Sequence, residues 1–479
     1  MGQIALLGSI IFVIWLFLMD RKERPVGSPA LWIPALWILL MSTRPIAYWF
    51  NGLSFPIDAI FLNVVILLLL MTLASRRVNW GAIVFSNISI FALYLFFLAS
   101  AVWAEDSFSV LKRVVRDFST VLTALVLLSE SNPGYAIRKI IVRCSYLVFP
   151  LSIVAIKYFP SIGRDQANSG DNMFTGLTMH RNTLGQVAFL YCIVLLWDVY
   201  EQRRESKLKW TDWSILSRLL MMAMGVWLLN TGDSKTSILC LMLGAFVFWI
   251  TGRILRTQHP KPKLAALTVG LLLALGIGSV FNLKDLFLWS IGRSESFSGR
   301  ATIWDQVLAQ PVNRFIGAGY QTFWDSRFGQ NVIAGVGAEG GGETLIVTAH
   351  NGYIDILIDG GAVAVTLLGL MLLGRGVAIV DRMVAGDMWA RVGFSCFLCA
   401  VIHNLSESTF FKLSILWFFL ILSMLTYPAA KKALFEPNQF RRSDWRSAPA
   451  TGQKTTTDTP APVGILRNSS DRNVFHRRF

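Results

Sequence analysis

The chain has 479 residues, 54% of them hydrophobic and only 15% charged. Soluble domains carry about 25% charged residues, so a soluble globular protein is excluded and an integral membrane protein is expected. The formal net charge of +15 arises from 44 Lys and Arg against 29 Asp and Glu. Much of that excess lies in short loops and in the C-terminal tail, which indicates positive-inside topology and not a nucleic-acid partner.

Residues 2–19 form an uninterrupted apolar run that ends at Arg21, Lys22 and Arg24. A secretory signal carries its basic residues ahead of the apolar run, so this one reads as an uncleaved first helix with its N-terminus outside. Further apolar runs follow at 31–48, 57–74, 80–103, 118–128, 140–156, 184–200, 215–229, 237–250, 264–281, 353–373, 392–402 and 414–427. A helix needs about 20 residues to cross a ~30 Å hydrocarbon core, so the shorter runs must extend into their flanks. The expected fold is an all-α polytopic membrane protein with 12–14 transmembrane helices, thirteen by this reading. Alternating sides bring the basic segments 21–24, 76–77, 138–143, 203–209, 253–263, 375–391 and the tail to one face, the cytoplasmic one. Segments 157–181, 281–361 and 403–412 then fall outside. The domain plan is a transmembrane domain over 1–429, holding a large outer loop at 282–352, and a tail over 430–479. That tail is polar, basic and rich in Pro and Thr, and is expected to be a disordered cytoplasmic segment.

The outer stretch 281–361 carries Ser298-Gly299-Arg300, Ile303-Trp304 and Gly317-Ala318-Gly319-Tyr320. Glycines follow at 335, 337, 340, 341 and 342, and the stretch closes on His350-Asn351-Gly352-Tyr353. Several basic residues break the inside rule: Arg44, Lys112, Arg113, Arg116, Arg181, Lys235, Arg300 and Arg314. An Arg inside the membrane costs about 2.5–3.5 kcal/mol and usually faces a cavity or a partner. Snorkelling to lipid phosphates is the ordinary role for any one of them. As a set around an outward cavity they make a site for an anionic ligand, and a lipid-linked pyrophosphate suits the paired donors of Arg. A lone histidine is more often structural, yet His350 at the mouth of a helix has the chemistry of a general base for a sugar hydroxyl.

Other motifs fail on context. Gly232-Asp-Ser-Lys235-Thr236 echoes a phosphate-binding lysine loop but lacks its leading glycine and strand. Cys396 and Cys399 have redox spacing, but like Cys144, Cys192 and Cys240 they sit within an apolar run and read as packing residues. With no Asp-x-Asp pair and no Cys/His cluster, neither a catalytic metal nor another cofactor is expected.

Taken together, Ser298-Gly299-Arg300 with Trp304, Gly317-x-Gly319-Tyr320, His350-Asn351-Gly352, Gly360-Gly361 and Arg181-Asn182 resemble the O-antigen ligase/polymerase superfamily. Ser234-Lys-Thr-Ser237 and Glu407-Ser408 look most like its exopolysaccharide (Wzy-type) polymerases. The resemblance covers residues 103–427. It implies a GT-C-like, inverting, metal-independent glycosyltransferase, multi-pass in the bacterial inner membrane with its active site facing the periplasm. Its donor would be an oligosaccharide repeat unit on undecaprenyl diphosphate, polymerised into exopolysaccharide or O-antigen. Arg181 and Arg300 would hold the diphosphate, joined from the outer basic set by Arg116 and Lys235. His350 would activate the acceptor hydroxyl, with Glu407 as the second catalytic candidate, and the glycine-rich segment 335–342 would gate the sugar channel. Partners would be the lipid-linked oligosaccharide, the bilayer, and the flippase and chain-length regulator of the same pathway, with no nucleic acid. Three other readings compete. An O-antigen ligase shares donor and chemistry but passes finished glycan to another acceptor. A lipid-linked glycan transporter favours mid-helix charges and repeated halves, whereas here the charges gather outside and no repeat is evident. A structural scaffold would leave the outer arginines without a role.

Overall fold

The computed structural model describes residues 1–20, 27–50, 56–166, 172–205, 209–280, 298–340 and 347–428. The chain divides into two units, Met1–Phe435 and Glu436–Phe479, and every described residue belongs to the first. The tail predicted to be disordered therefore lies outside the described residues.

All the described apolar runs are helical. In chain order the helices are α1 (Gly2–Asp20), α2 (Trp32–Met41), α3 (Ile46–Trp49), α4 (Ile57–Ser75), α5 (Trp80–Ser86), α6 (Ile88–Ala99), α7 (Ser107–Leu128), α8 (Pro133–Tyr158) and α9 (Pro160–Gly163). A short antiparallel hairpin, β1 (Arg164–Gln166) and β2 (Asn172–Phe174), leads to α10 (Arg181–Glu205), α11 (Trp213–Thr231), α12 (Lys235–Ile254) and α13 (Pro260–Val280). The large loop folds into α14 (Ser298–Leu308) and α15 (Arg327–Gly340), and α16 (Gly352–Val384), α17 (Met388–His403) and α18 (Ile415–Met424) complete the described chain. Hydrocarbon offers no water to a free peptide group, so an apolar run satisfies its own backbone as a helix.

Among the described residues seven helices are long and apolar enough to span a bilayer: α1, α4, α8, α10, α11, α12 and α16. An eighth span exists if α5 and α6 count as one; they bend by 93° at Asn87. Of the other expected runs, 264–281 reaches beyond the described residues, and several fall short for physical reasons. α17 and α18 have 16 and 10 residues, about 24 and 15 Å at 1.5 Å per residue, short of the hydrocarbon thickness. α7 carries Lys112, Arg113, Arg116 and Asp117 in its first half. The bend at Asn87 is held by its own amide. Its Nδ2 donates to Ile83 O (2.8 Å) and Thr426 O (2.9 Å), and its Oδ1 accepts from Thr426 N and Arg375, both at 2.8 Å.

The most enclosed of the spans is α10, apolar all round its middle and packed on α8, α11 and α12. α1 and α4 keep most of their surface outward, as lipid-facing helices do.

The large loop is tied to the bundle by a break in α16. Gly361 leaves the helical path (φ 62°, ψ −163°), and the segment 314–319 fills the gap. Ala318 N donates to Ile358 O (2.8 Å) and Gly319 N to Asp359 O (2.9 Å); Ala362 N and Val363 N donate back to Arg314 O (2.9 Å) and Phe315 O (3.1 Å). Four peptide groups at the break are thus paired with the loop. A Cβ on Gly317 would lie 2.3 Å from the Asp359 carbonyl carbon, and one on Gly361 would lie 2.2 Å from that of Phe315. Gly361→Val is expected to release the loop, since it combines that clash with a left-handed φ costing about 1–2 kcal/mol for an L residue. Limited proteolysis of the detergent-solubilised protein checks this; an unchanged cleavage pattern would refute it.

The loop has its own small core, made by Ile303 and Val307 of α14, Phe323, Val332 of α15 and Ile358 of α16. Gly335, Gly337 and Gly340, expected in a glycine-rich gate, belong to helix α15, while Gly341 and Gly342 lie outside the described residues. The apolar stripe Phe328, Val332, Ile333 and Val336 outweighs the poor helix propensity of glycine. Gly335 lets α14 come close: its absent Cβ would be 2.9 Å from Gln306 Oε1.

Candidate functional site

The site is built on the turn that follows α17. Asn404 caps that helix: its Nδ2 donates to Ala400 O (2.8 Å), and its Oδ1 accepts from Thr409 N (2.9 Å), the Thr409 hydroxyl (3.1 Å) and Phe410 N (3.1 Å). The chain is thereby folded back on itself, and Glu407 projects from the bend.

Glu407 is where the predicted residues meet. Its Oε1 accepts from Asn182 Nδ2 at 2.6 Å and from Arg300 NH2 at 3.1 Å. Its Oε2 lies 3.5 Å from His350 Nδ1, an ion-pair distance more than a full hydrogen bond. Arg300 is fixed a second time, donating to Ser406 O at 2.5 Å. The carboxylate is 14% exposed, against 30% for Arg300 and 40% for His350. Burial alone pushes the Glu407 carboxyl up, but the contact with His350 and the charges of His350, Arg300 and His403 outweigh it and hold it below the ordinary glutamate value. Glu407 is therefore an anion at neutral pH. Its contribution to stability is present above the unfolded-state value and lost as pH falls through the lower folded one.

His350 is held in the left-handed region at φ 50°, a conformation that persists in a non-glycine residue only when its surroundings enforce it. They do. Ala349 N donates to Asp355 Oδ1 (3.0 Å), Trp304 Nε1 donates to Ala349 O (2.8 Å), and Asn351 caps α16 through Tyr353 N and Ile354 N (3.0 and 3.3 Å). Gly352 N donates to Asn404 O at 2.8 Å and Glu407 O at 3.2 Å. A Cβ on Gly352 would lie 2.2 Å from Asn404 Oδ1.

Four helices begin around this one turn: α10 through Asn182, α12 through Thr236, whose Oγ1 accepts from Ser406 Oγ at 3.2 Å, α14 through Arg300, and α16 through Gly352. Each N-terminus carries a partial positive charge of about half a unit. Arg181 and Lys235, the first residues of α10 and α12, are both exposed. Close approach of those two helices depends on Gly185, whose Cβ would meet Ser234 and Ser237 within 2.7 Å.

Arg116 goes elsewhere. It pairs with buried Asp117 (2.7 and 3.2 Å) and Gln321 Oε1 (3.1 Å), while Tyr320 OH and Gln321 Nε2 also donate to Asp117 Oδ2 (2.8 and 2.6 Å). Tyr320 and Gln321 then reach Phe411 O at 2.6 and 2.5 Å. Arg113 binds Gln321 O and Asp325. Arg113 and Arg116, expected with the outer basic set to face an anionic ligand, thus clamp the large loop. Arg44 is likewise structural, donating to Thr178 O (3.0 Å), Ile162 O (2.6 Å) and Thr175 Oγ1 (3.1 Å). His403, next to Glu407 in the fold, is wholly enclosed and stacked on Phe189 with centroids 5.9 Å apart.

Asn404 and Ser406 had no marker in the sequence beyond an asparagine at a helix end, and Thr236 stood only as part of the Ser234–Ser237 stretch, with no role of its own. Among the described residues no three His, Cys, Asp or Glu side chains gather as a metal-binding group. No protein-family model matches the chain, and no curated protein does either. The site's chemistry is that of an imidazole braced by a carboxylate, set among helix N-termini and exposed cations.

Removing the brace has a defined consequence. Glu407→Ala leaves Asn182 and Arg300 without the carboxylate that both now donate to, and it is expected to lower the unfolding midpoint of the purified protein; an unchanged midpoint would mean that Glu407 does not brace this turn.

Proposed function

We propose that this chain is a membrane glycosyltransferase that joins oligosaccharide units carried on undecaprenyl diphosphate, a polysaccharide polymerase working at the periplasmic face of the bacterial inner membrane. The observation that carries the reading is the meeting of His350 and Arg300 on Glu407, amid four helix N-termini and beside Arg181 and Lys235.

The acceptor hydroxyl oxygen attacks the anomeric carbon of the donor. Its proton passes to His350, and the bond from that carbon to the diphosphate breaks with its electron pair on the leaving group. Attack from the face opposite the leaving group inverts the anomeric centre. Glu407 holds the imidazole and stabilises its charged form, as a carboxylate does for a catalytic histidine. Arg300, Arg181, Lys235 and the helix ends meet the charge that grows on the diphosphate. A diphosphate is already a good leaving group, so charge stabilisation and one proton transfer suffice.

The test is reconstitution. Purified protein in nanodiscs, given a synthetic undecaprenyl-diphosphate repeat unit and no nucleotide sugar, is expected to form a ladder of lipid-linked oligomers. A donor left intact under conditions where the protein is folded would overturn the proposal. Sidedness is tested separately. Cysteines placed at Ser298 should react with an impermeant thiol reagent in spheroplasts, and one at Thr455 only after permeabilisation; the reverse pattern would overturn the orientation.

A further inference from the structure

Two turns carry the proposed chemistry. Residues 347–351 hold His350, and residues 404–412, after α17, hold Glu407. Their relative placement decides whether the imidazole meets the carboxylate, now 3.5 Å away. Main-chain bonds join the turns at Gly352, whose N donates to Asn404 O and Glu407 O. A bond at one point leaves the turns free to pivot about it; a second, on the other side of His350 in the chain, stops the pivot. Side chains supply that second point. Lys412 Nζ donates to Asp355 Oδ2 at 2.6 Å. Asp355 Oδ1 accepts from the N of Ala349, the residue before His350, at 3.0 Å and from Trp324 Nε1 at 3.4 Å.

Asp355 is 6% exposed and Lys412 26%, so this ion pair is shielded from water and counts for more than an exposed one. The chain is bent to make it. Phe411, just before Lys412, has φ 52°, and Gln321, whose Nε2 donates to Phe411 O at 2.5 Å, has φ 54°. With His350 at 50°, these are three of the five described non-glycine residues in the left-handed region. Such a conformation persists where the surroundings over-determine it, and it gathers at working sites. Phe411 is held by its ring, packed on Trp417, Tyr94 and Phe97 with centroids 4.3, 4.9 and 5.0 Å away. The bend leaves the next residue, Lys412, bonded to α16. We infer that the Lys412–Asp355 pair is a positioning clamp, which locks the turn of His350 against the turn of Glu407 and so sets the gap across which the two act. Both residues work through His350 and Glu407. The clamp's effect on catalysis rests on the proposed glycosyl transfer; its effect on the gap does not.

The experiment uses the full-length protein in nanodiscs, with nitroxide labels on Val347→Cys and Leu405→Cys, exposed positions on the two turns. The five native cysteines are buried. Pulsed electron paramagnetic resonance is expected to give a narrow distance distribution with Lys412 in place and with Lys412→Arg, which keeps the pair, and a broadened one with Lys412→Met. In unlabelled protein supplied with the lipid-linked repeat unit, Lys412→Met is expected to lower kcat by about 10²-fold, the effect of a misplacement of ~1 Å, with KM unchanged. Lys412→Arg is expected to restore most of that loss. A fold merely weakened by the substitution would lose active enzyme without broadening the distances in what remains. Asp355→Asn combined with Lys412→Met leaves neither charge unpaired and keeps an acceptor for Ala349 N. The same broadening is expected of it, and it decides the matter where the single variant fails to fold. An unchanged distribution, or a broadened one with kcat unchanged, would overturn the clamp. A wild-type protein without turnover would overturn the proposed function instead, and the distance distributions would still decide whether the pair fixes the gap.

Discussion

His350→Ala is expected to lower the rate of glycosyl transfer by about 10²–10⁴-fold, the contribution of a positioned general base, while leaving expression and donor binding intact. The imidazole is 40% exposed and lies 3.5 Å from Glu407, so its loss is expected to cost little stability. The backbone at this position adds a second arm. Since φ is 50°, His350→Gly relieves the left-handed strain yet removes the same base, and it should be as inactive as the alanine variant and no less stable. Turnover with the lipid-linked unit in nanodiscs, beside donor retention on the purified protein, separates the two effects. Normal turnover in either variant would make His350 structural. His403 would not replace it, being sealed against Phe189, and Glu407 would become the base.

Arg300→Ala is expected to cost roughly 3 kcal/mol of transition-state stabilisation, some 10²–10³-fold in rate, as the loss of one donor aimed at developing charge does. The guanidinium already spans Glu407 Oε1 and Ser406 O, so the substitution also frees the carboxylate of its counter-charge. Lysine should rescue poorly, because a point charge cannot hold both partners and a phosphate oxygen. Accumulated intermediates then distinguish the two related activities. Cells with a failed polymerase hold single repeat units on the lipid carrier; cells with a failed ligase hold long chains still attached to it. Single units are expected for Arg300→Ala. Full-length lipid-linked polymer would replace the polymerase reading by the ligase.

Much of the bundle is legible in the chain because each of its rules is local. A run of apolar side chains in hydrocarbon has no alternative to the helix, and the described runs are helical; 118–128 and 392–402 extend into their flanks as their lengths required, whereas 414–427 is helical only over Ile415–Met424. Where a local polar residue competes, as Asn87 does within 80–103, the run divides. Length, though, is not span: α2, α17 and α18 are apolar and too short to cross alone.

The candidate site was legible in its residue types and not in its contacts. Position marked His350 as the mouth of a helix and Arg300 as one of an outer basic set, Glu407 entered only through the resemblance, and Arg116 was marked as well as Arg300. Packing then parted them. The segment 314–321 docks into the break at Gly361 and spends Arg116 on Asp117 and Gln321, whereas the cap at Asn404 turns Glu407 toward Asn182, 225 residues away in the chain. A charge in a chain of low dielectric surroundings takes whichever counter-charge the fold brings nearest. By itself the sequence determined a membrane-embedded helical bundle, its runs and its distribution of charge, since these follow from solvent and composition. Only the tertiary structure decided which arginines brace the fold and which stand beside His350, because ion pairs are chosen by distance in space and not along the chain.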